Sequence, residues 1–163
     1  MEIAIISDTH LPRGSQRLPD TCVQRLREAD LIVHAGDFSR LEVLEELKTL
    51  GPVVGVYGNT DDALLRAALP EAAQIPIGEG AKLAVTHDAG PAPGRLRRLK
   101  ARFPGTQAVI FGHSHIPLHE RAPDGFQIFN PGSPTDRRRQ PKHTMGLCRI
   151  TSATVEFELI DLD

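Results

Sequence analysis

Short apolar runs alternate with amphipathic stretches over the first two thirds of the chain. The runs are almost continuously apolar, which is typical of strands that are buried on both faces of a parallel sheet. The stretches between them repeat apolar residues at helical spacing, and Ser39 is placed to cap the second helix. The predicted strands cover 2–7, 31–35 and 53–57, and the predicted helices run from Pro19, over 40–50 and over 61–69. This alternation predicts a largely parallel sheet that helices cover.

The second half of the chain changes character, because its apolar runs are shorter and turn-forming residues separate them. In the last run Val155, Phe157 and Leu159 alternate with polar residues, which is typical of an antiparallel strand with one wet face. Two sheets packed on each other, with helices outside, fit this order better than one open sheet. We therefore expect a single domain over 1–163. The predicted strands cover 82–86, 108–111, 118–121, 126–130, 145–151 and 154–160, with a helix around 95–102.

Composition and charge exclude several classes of protein. No apolar run approaches the ~20 residues that a membrane span needs, and the first residues resemble a strand rather than a signal peptide. A net charge of −2 gives no electrostatic field that would attract nucleic acid, and 4% aromatic residues give no platform on which bases could stack. Cys22 and Cys148 are predicted to be buried thiols in a reducing cytoplasm. We expect a cytoplasmic protein that binds no membrane and has no dedicated nucleic-acid surface. Whether it forms a homo-oligomer stays open.

Oxygen and imidazole ligands follow five of the predicted strands, at the points where those strands end. Because the carboxyl ends of strands in an α/β sheet share one edge, these side chains should meet there. The set contains no thiolate and exceeds what one Zn²⁺ needs, so pairs of Mn²⁺, Fe, Co, Ni or Zn²⁺ ions are all allowed. The residues are Asp8, His10, Asp37, Asn59, His87, His113 and His115.

These ligands stand in an ordered series of short motifs: D-x-H, G-D, G-N-x-D, T-H and G-H-S-H, followed by an N-P-G-S turn. The series resembles the calcineurin-like metallophosphoesterases, and more closely their small bacterial and archaeal phosphodiesterase branch. This resemblance extends over most of the chain. It implies an α/β fold, a four-layer αββα sandwich in which two mixed β-sheets pack face to face and are flanked by helices. The motifs stand at 8–10, 36–37, 58–61, 86–87, 112–115 and 130–133.

The resemblance also implies a binuclear metal centre, with Mn²⁺ as the expected metal and Ni²⁺, Co²⁺, Fe²⁺ or Zn²⁺ as alternatives. Two such ions can hold a bridging hydroxide that attacks phosphorus in line. The expected activity is therefore hydrolysis of a small phosphodiester, including nucleotide-like ones. The first ion would be held by Asp8, His10 and His115, and the second by Asn59, His87 and His113, with Asp37 bridging. The catalytic residues would be Asp37, Asn59, His87 and His113.

Two positions depart from the family pattern. Thr60 stands where many larger members have a histidine that is implicated in leaving-group departure, and threonine cannot be a general acid near neutral pH. Activated phosphodiesters should therefore be better substrates than alkyl monoesters. Asp88 replaces the glycine that usually follows His87. It could orient His87 or a metal-bound water, or it could crowd the site.

Other residues around the ligands are predicted to support them or to contact substrate. Asp61 ends the third motif, and His34 is expected to pack or to support a ligand rather than to bind metal. Arg137 and Arg138 belong to a basic run that could contact the distal phosphate or base of a nucleotide-like substrate, or could form a surface loop. Two other functions stay open: a phosphomonoesterase, and a non-catalytic protein-interaction scaffold like the retromer subunit that shares the fold.

Overall fold

The computed structural model describes residues 1–152 and 154–163. Strands and helices alternate in the first half, and strands dominate the second half. The elements are β1 (Glu2–Ile6), α1 (Asp20–Glu28), β2 (Leu31–His34), α2 (Leu41–Lys48), β3 (Val53–Gly55), α3 (Ala63–Ala68), β4 (Ala72–Gly78), β5 (Ala81–Thr86), α4 (Arg95–Arg102), β6 (Ala108–Ile110), β7 (Leu118–Arg121), β8 (Gln127–Asn130), β9 (Thr144–Thr151) and β10 (Thr154–Asp161).

The first sheet has the strand order β10-β9-β1-β2-β3. Its members β1, β2 and β3 pair in parallel, as their nearly continuous apolar sequences predict. The late strands β9 and β10 join antiparallel to this group. In the central strand β1, every residue after Glu2 is fully buried, because both faces are covered.

The second sheet has the strand order β4-β5-β6-β8-β7. Its central strands β5, β6 and β8 are parallel, and its edge strands β4 and β7 are antiparallel. The sequence pattern did not predict β4. This strand contains Pro76 and has only one fully buried side chain, Ile75, so it lacks the apolar run that marks an internal strand. A proline is tolerated there because β4 lies at the sheet edge.

The two sheets pack face to face, and helices cover their outer faces. Along β1, Ile3 and Ile5 point into the core between the sheets, whereas Ala4 and Ile6 point toward the helices. Helices α1 and α2 pack on the first sheet, and α4 packs on the second through Leu99. The predicted four-layer αββα sandwich of two mixed sheets is therefore confirmed.

Two helices begin later than the sequence predicted. Helix α2 begins at Leu41 and has no side-chain cap; Ser39 does not cap it, contrary to the prediction. Ser39 instead takes a left-handed backbone (φ 89°), and its N–H donates to Asp61 Oδ1 at 2.7 Å. Helix α3 is capped by Asp62, whose carboxylate accepts from the N–H of Leu65 at 2.9 Å. Asp61 therefore belongs to the loop before α3 and not to the helix.

Both cysteines are free and buried, as predicted. Burial raises the thiol pKa of Cys22 and of Cys148 to about 12, so neither forms a thiolate near neutral pH. Among the described residues, no helix has the length and apolar character that crossing a membrane requires.

Candidate metal centre

The loops that carry the predicted ligands meet at one edge of the sandwich, because β1, β2, β3, β5 and β6 all end there. Backbone hydrogen bonds tie these loops to each other. The N–H of Asp8 donates to Gly36 O at 2.9 Å, and the N–H of Gly112 donates to His87 O at 3.0 Å. A side chain joins the two sheets, since His87 Nδ1 lies 2.8 Å from Ala35 O.

Three of the predicted ligands form the first group of donor atoms. His10 Nε2 lies 3.2 Å from His115 Nε2, and the two imidazole rings stack. Asp8 Oδ1 lies 3.4 Å from His115 Nε2 and 3.9 Å from His10 Nε2. All three donor atoms fall within 4.8 Å of one another, close enough to share one cation.

The other four predicted ligands form a second group beside the first. His87 Nε2 lies 3.3 Å from Asp37 Oδ2 and 3.0 Å from Asn59 Oδ1. His113 Nδ1 also lies 3.0 Å from Asn59 Oδ1. Asp37 Oδ2 is 3.7 Å from His10 Nε2, so this oxygen lies between the two groups. The structure thus brings all of the predicted ligands together.

Asp8 is a buried carboxylate with one oxygen unsatisfied. Its Oδ2 accepts from the Ser7 hydroxyl at 2.6 Å and from the N–H of His113 at 3.0 Å. Its Oδ1 is buried without a hydrogen-bond partner among the described residues. Burial raises the pKa of Asp8 to about 6, because the charged form loses hydration that its hydrogen bonds at Oδ2 replace only in part. A cation at Oδ1 would supply the missing partner.

The spacing and protonation of the other donors also fit divalent cations. At metal–ligand distances of about 2.1 Å, neighbouring ligands lie about 3.0–3.4 Å apart, which is the spacing of the closest pairs here. Burial lowers the pKa of His10 and of His115, so both imidazoles are neutral, the form that binds metal. His115 Nδ1 donates to Asp136 O, which leaves Nε2 free to face the site.

Asp37 and His87 each shift the pKa of the other. Burial opposes ionisation of Asp37, but the hydrogen bond and charge of His87 outweigh it, so the pKa of Asp37 is lowered. Burial likewise opposes the charge on His87, but Asp37 and Asp8 outweigh it and raise the pKa of His87. Each of the two residues therefore stabilises the charged form of the other.

The backbone at this edge is strained. Non-glycine residues rarely take positive φ, and where they do, they concentrate at functional sites. Gly36 adds a close approach: a Cβ on this residue, which has φ +95°, would lie 2.5 Å from His87 Nδ1. Five predicted ligands take positive φ: Asp8 (57°), His10 (49°), Asp37 (60°), His113 (69°) and His115 (59°).

Asp61 holds the loops around Asp37 and does not face the donor groups. Its carboxylate accepts from the N–H groups of Asp37 at 3.1 Å, Ser39 at 2.7 Å and Gly58 at 2.7 Å. Thr60 donates its N–H to Asp37 Oδ1 at 2.9 Å, which leaves Oδ2 directed at the histidines. Asp61 therefore positions a ligand through its backbone.

His34 is packed away from the donor atoms. It is fully buried, and its ring stacks on Phe38 at a centroid distance of 3.5 Å. Its Nδ1 accepts from the N–H of Gly36 at 3.2 Å, and its Nε2 lies 3.0 Å from Thr9 Oγ1. Burial lowers the pKa of His34 well below its ordinary value, so the ring is neutral.

The remaining predicted residues lie at the rim. Asp88 is exposed and accepts from the N–H of Gly90 at 2.7 Å, so it does not orient His87, whose ring is held by Ala35 O instead. Arg137 and Arg138 are exposed. Arg138 lies close enough for its charge to add to burial in lowering the pKa of His115.

Three polar side chains in and after the N-P-G-S turn hold the ligand loops, a role that the sequence did not assign. Asn130 Nδ2 donates to Gly112 O at 3.0 Å, and Ser133 Oγ donates to Asp8 O at 2.8 Å. Thr135 Oγ1 donates to Thr9 O at 2.6 Å. The motif itself was visible in the sequence, but its hydrogen-bond partners depend on how distant loops meet.

The chain is similar to proteins of a described family. Residues 1–153 match the family model of the calcineurin-like phosphoesterase superfamily domain. A protein of Methanothermobacter thermautotrophicus named "Probable metallophosphoesterase" is 34% identical over 163 residues, covering 98% of this chain and 92% of that protein.

Two solved structures share the fold at lower identity. Vps29 from Entamoeba histolytica, complexed with Zn²⁺, superposes with a TM-score of 0.77 at 23% identity, covering 100% of both chains. A structure described as a novel archaeal phosphodiesterase superposes with a TM-score of 0.74 at 21% identity, covering 99% of this chain and 100% of that chain. At such identities the likeness shows the fold alone.

Proposed function

The chain belongs to the calcineurin-like phosphoesterase superfamily, and from this premise we propose that it is a metal-dependent phosphodiesterase. The observation that carries the proposal is the buried, unpartnered Asp8 Oδ1 within a convergent set of oxygen and imidazole donors. In the proposed centre, Asp8, His10 and His115 hold one divalent cation, and Asn59, His87 and His113 hold a second, with Asp37 between them.

The protein contributes a preorganised set of ligands, of which His10 and His115 are in the neutral form that binds metal. Cations held there would lower the pKa of a bound water and neutralise charge on the phosphoryl oxygens. Asp37 is ionised near neutral pH, and the hydrogen bond from Thr60 turns its Oδ2 toward both donor groups. The carbonyl oxygens of Ala35 and Asp136 fix the rings of His87 and His115. Oxygen and imidazole donors without thiolate allow Mn²⁺, Ni²⁺, Co²⁺, Fe²⁺ or Zn²⁺, and Mn²⁺ is our first expectation from the family resemblance.

Thr60 favours activated diesters over alkyl monoesters as substrates. Its hydroxyl is exposed and lies 3.4 Å from His10 Nδ1. A hydroxyl there can donate a hydrogen bond to a departing oxygen, but it cannot transfer a proton near neutral pH. An archaeal protein described as a phosphodiesterase shares the fold. The two free, buried cysteines fit a reducing compartment, and we place the enzyme in the cytoplasm as one domain over 1–163.

A protein-interaction scaffold is the second candidate, because the fold is shared with Vps29. That structure was solved with Zn²⁺, so metal binding alone would not separate the two functions. Turnover does separate them. The complete set of donors in this chain supports the enzyme.

The deciding experiment measures hydrolysis of bis-p-nitrophenyl phosphate by metal-stripped protein supplied with Mn²⁺, Ni²⁺, Co²⁺, Fe²⁺ or Zn²⁺. We expect turnover with at least Mn²⁺, and slower hydrolysis of p-nitrophenyl phosphate, the monoester. Asp37→Asn should reduce the rate by about 10³-fold or more, since this carboxylate serves both groups. The matched control is Asp124→Asn, which alters an exposed carboxylate at the opposite edge and should keep the wild-type rate.

Two results would reject the phosphodiesterase. One is the absence of turnover with every metal, which would favour the scaffold. The other is full activity in Asp37→Asn after removal of contaminating phosphatases.

A further inference from the structure

A cavity of about 350 Å³ opens beside the second group of donors. This volume lies in the range of about 300–1,000 Å³ that is typical of small-molecule sites. We call it the arm pocket. Its lining combines three predicted ligands with side chains that supply no ligand to the proposed metal centre. Besides Asn59, His87 and His113, the lining side chains include Tyr57, Arg66, Glu71 and Asp88.

One wall of the arm pocket is a fixed planar pair. Tyr57 is the only tyrosine of the chain and is half-buried. The guanidinium of Arg66 lies over its ring, 5.1 Å from the centroid. Arg66 is itself held by two backbone carbonyls, since Nε donates to Asp61 O at 3.0 Å and Nη2 donates to Asn59 O at 2.9 Å. A guanidinium and a phenol ring that are held in this way present flat surfaces on which another planar group can stack.

The outer part of the arm pocket is acidic. Asp88 and Glu71 are both exposed, and Asp88 uses Oδ1 to accept from the N–H of Gly90. Within the described residues, Asp88 Oδ2 has no hydrogen-bond partner, so it can accept from an N–H of a ligand. Two carboxylates at the mouth disfavour an anionic substituent, although Arg102, 3.4 Å from Glu71, offsets part of this charge. The pocket is therefore suited to a neutral planar group.

A leaving group that contacts Thr60 would lie outside the arm pocket. Thr60 contacts His10, which belongs to the first donor group, and its side chain does not line the arm pocket. A phosphodiester that spans both groups would therefore direct its leaving group toward Thr60. Its second substituent, which stays on phosphorus, would point toward Tyr57.

We propose that the arm pocket binds the retained substituent of the phosphodiester, and that this substituent is a neutral aryl group or nucleobase stacked against Tyr57 and Arg66. The inference rests on the proposed phosphodiesterase function and specifies its substrate class. Tyr57 and Arg66 thereby become specificity residues, and Asp88 accepts a hydrogen bond from the base.

The test compares two diesters that release the same p-nitrophenolate, namely the p-nitrophenyl ester of thymidine 5′-monophosphate and methyl p-nitrophenyl phosphate. The readout is the ratio of their kcat/KM values, which cancels effects on the shared chemical step. We expect the wild type to prefer the thymidine ester. Tyr57→Leu and Arg66→Gln should each lower the ratio by about 10-fold, mainly through KM, since stacking on a base is lost.

Two further variants separate stacking from general damage. Tyr57→Phe keeps the ring and should keep the wild-type ratio. Arg25→Gln removes an exposed arginine from α1, far from the arm pocket, and should also leave the ratio unchanged. Unchanged ratios in folded, active Tyr57→Leu and Arg66→Gln would overturn the inference while leaving the phosphodiesterase in place. A wild type that hydrolyses neither ester would overturn the proposed function itself.

Discussion

The two edges of the β-sandwich both contain cavities but differ in chemistry. The edge where β6 and β8 begin has the larger cavity, about 560 Å³, lined by residues such as Lys100, Gln107 and Phe126. Among the described residues, every group of three side chains able to share a cation lies at the other edge, where these parallel strands end. We call the edge where the predicted ligands lie the functional edge. The convergence of donor atoms distinguishes it from the opposite edge, and the volume of its cavity does not.

The backbone shows the same contrast. Among the described residues of the opposite edge, glycines such as Gly105 and Gly125 supply most of the positive φ that the turns require, and Glu79 (φ 51°) is a non-glycine exception. At the functional edge, aspartates and histidines take this conformation themselves. Their side chains are needed there, and the surrounding hydrogen bonds hold them in place.

Electrostatics separates the edges as well. Asp124 pairs with Lys100 at the opposite edge, and both side chains are 51% exposed, so water solvates the pair. Asp8 at the functional edge is fully buried, and one of its oxygens has no partner in the described structure. The charged form of Asp8 is therefore a state that folding alone does not favour.

The largest difference between the two edges is expected when a glycine is replaced by alanine at each of them. Gly36→Ala should reduce phosphodiesterase activity by at least about 100-fold, because the new Cβ would displace the His87 ring. Gly125 has a similar φ, +92°, but open space around its Cα. Gly125→Ala should therefore cost only about 1–2 kcal/mol of stability from the left-handed backbone, with unchanged activity. Steady-state kinetics and urea unfolding of both variants would check this, and equal activity losses would remove the distinction.

Asp8→Asn tests the unsatisfied carboxylate in protein without metal. The folded-state pKa of Asp8 is raised to about 6, so its contribution to stability is present below about pH 4 and is lost as the pH rises through 6. Asparagine does not ionise, and its amide can donate to His115 Nε2, which lies 3.4 Å from Oδ1 in the wild type. At pH 8 in EDTA the variant should be more stable by up to about 3 kcal/mol, measured by urea unfolding.

Adding Mn²⁺ should reverse this order. The wild type should gain stability on binding the ion, whereas Asp8→Asn should gain little. A metal-free wild type that is more stable than the variant at pH 8 would contradict the account of Asp8.

Asp61→Asn tests a residue of the functional edge that binds no metal in the proposed centre but holds the Asp37 loop. An amide oxygen cannot satisfy all of the N–H groups that the Asp61 carboxylate accepts, so the Asp37 loop should loosen. We expect metal affinity, measured by titration calorimetry, to fall by about 10–100-fold. The neighbouring Asp62→Ala removes the cap of α3 and should cost about 1 kcal/mol of stability without altering metal affinity. If both variants bound metal equally well, the positioning role of Asp61 would be wrong.

The smallest effect is expected at the opposite edge. Lys100→Gln removes an exposed ion pair and should change the free energy of unfolding by less than about 1 kcal/mol, with no change in kcat. A clear loss of activity in this variant would show that the opposite edge takes part in the function.

Much of the fold could be predicted from local sequence. The buried strands β1, β2, β5 and β6 are short apolar runs, and each ends at a polar motif that fixes the loop after it. The edge strand β4 could not be predicted, because Pro76 and a mostly exposed face leave no apolar signal. The cap at Ser39 was wrong because Asp61, distant in sequence, draws its N–H into the loop.

The candidate site likewise has some features with a local sequence signal and others without one. The donor residues were visible as motifs, and the structure places them together at one edge. The positive φ of Asp8 and His113, and the role of Asp61 in supporting Asp37, arise from contacts between loops and have no local signature. The arm pocket could not be predicted either, because Tyr57 and Arg66 contact each other only in the folded structure.

Anomalous diffraction from crystals grown with Mn²⁺ is the decisive measurement for the proposed metal centre, because it locates the metal without relying on turnover. The account predicts two manganese peaks at the functional edge, one on each side of Asp37 Oδ2, with one peak next to Asp8 Oδ1. Crystals that held manganese only elsewhere, or none among these side chains, would contradict it.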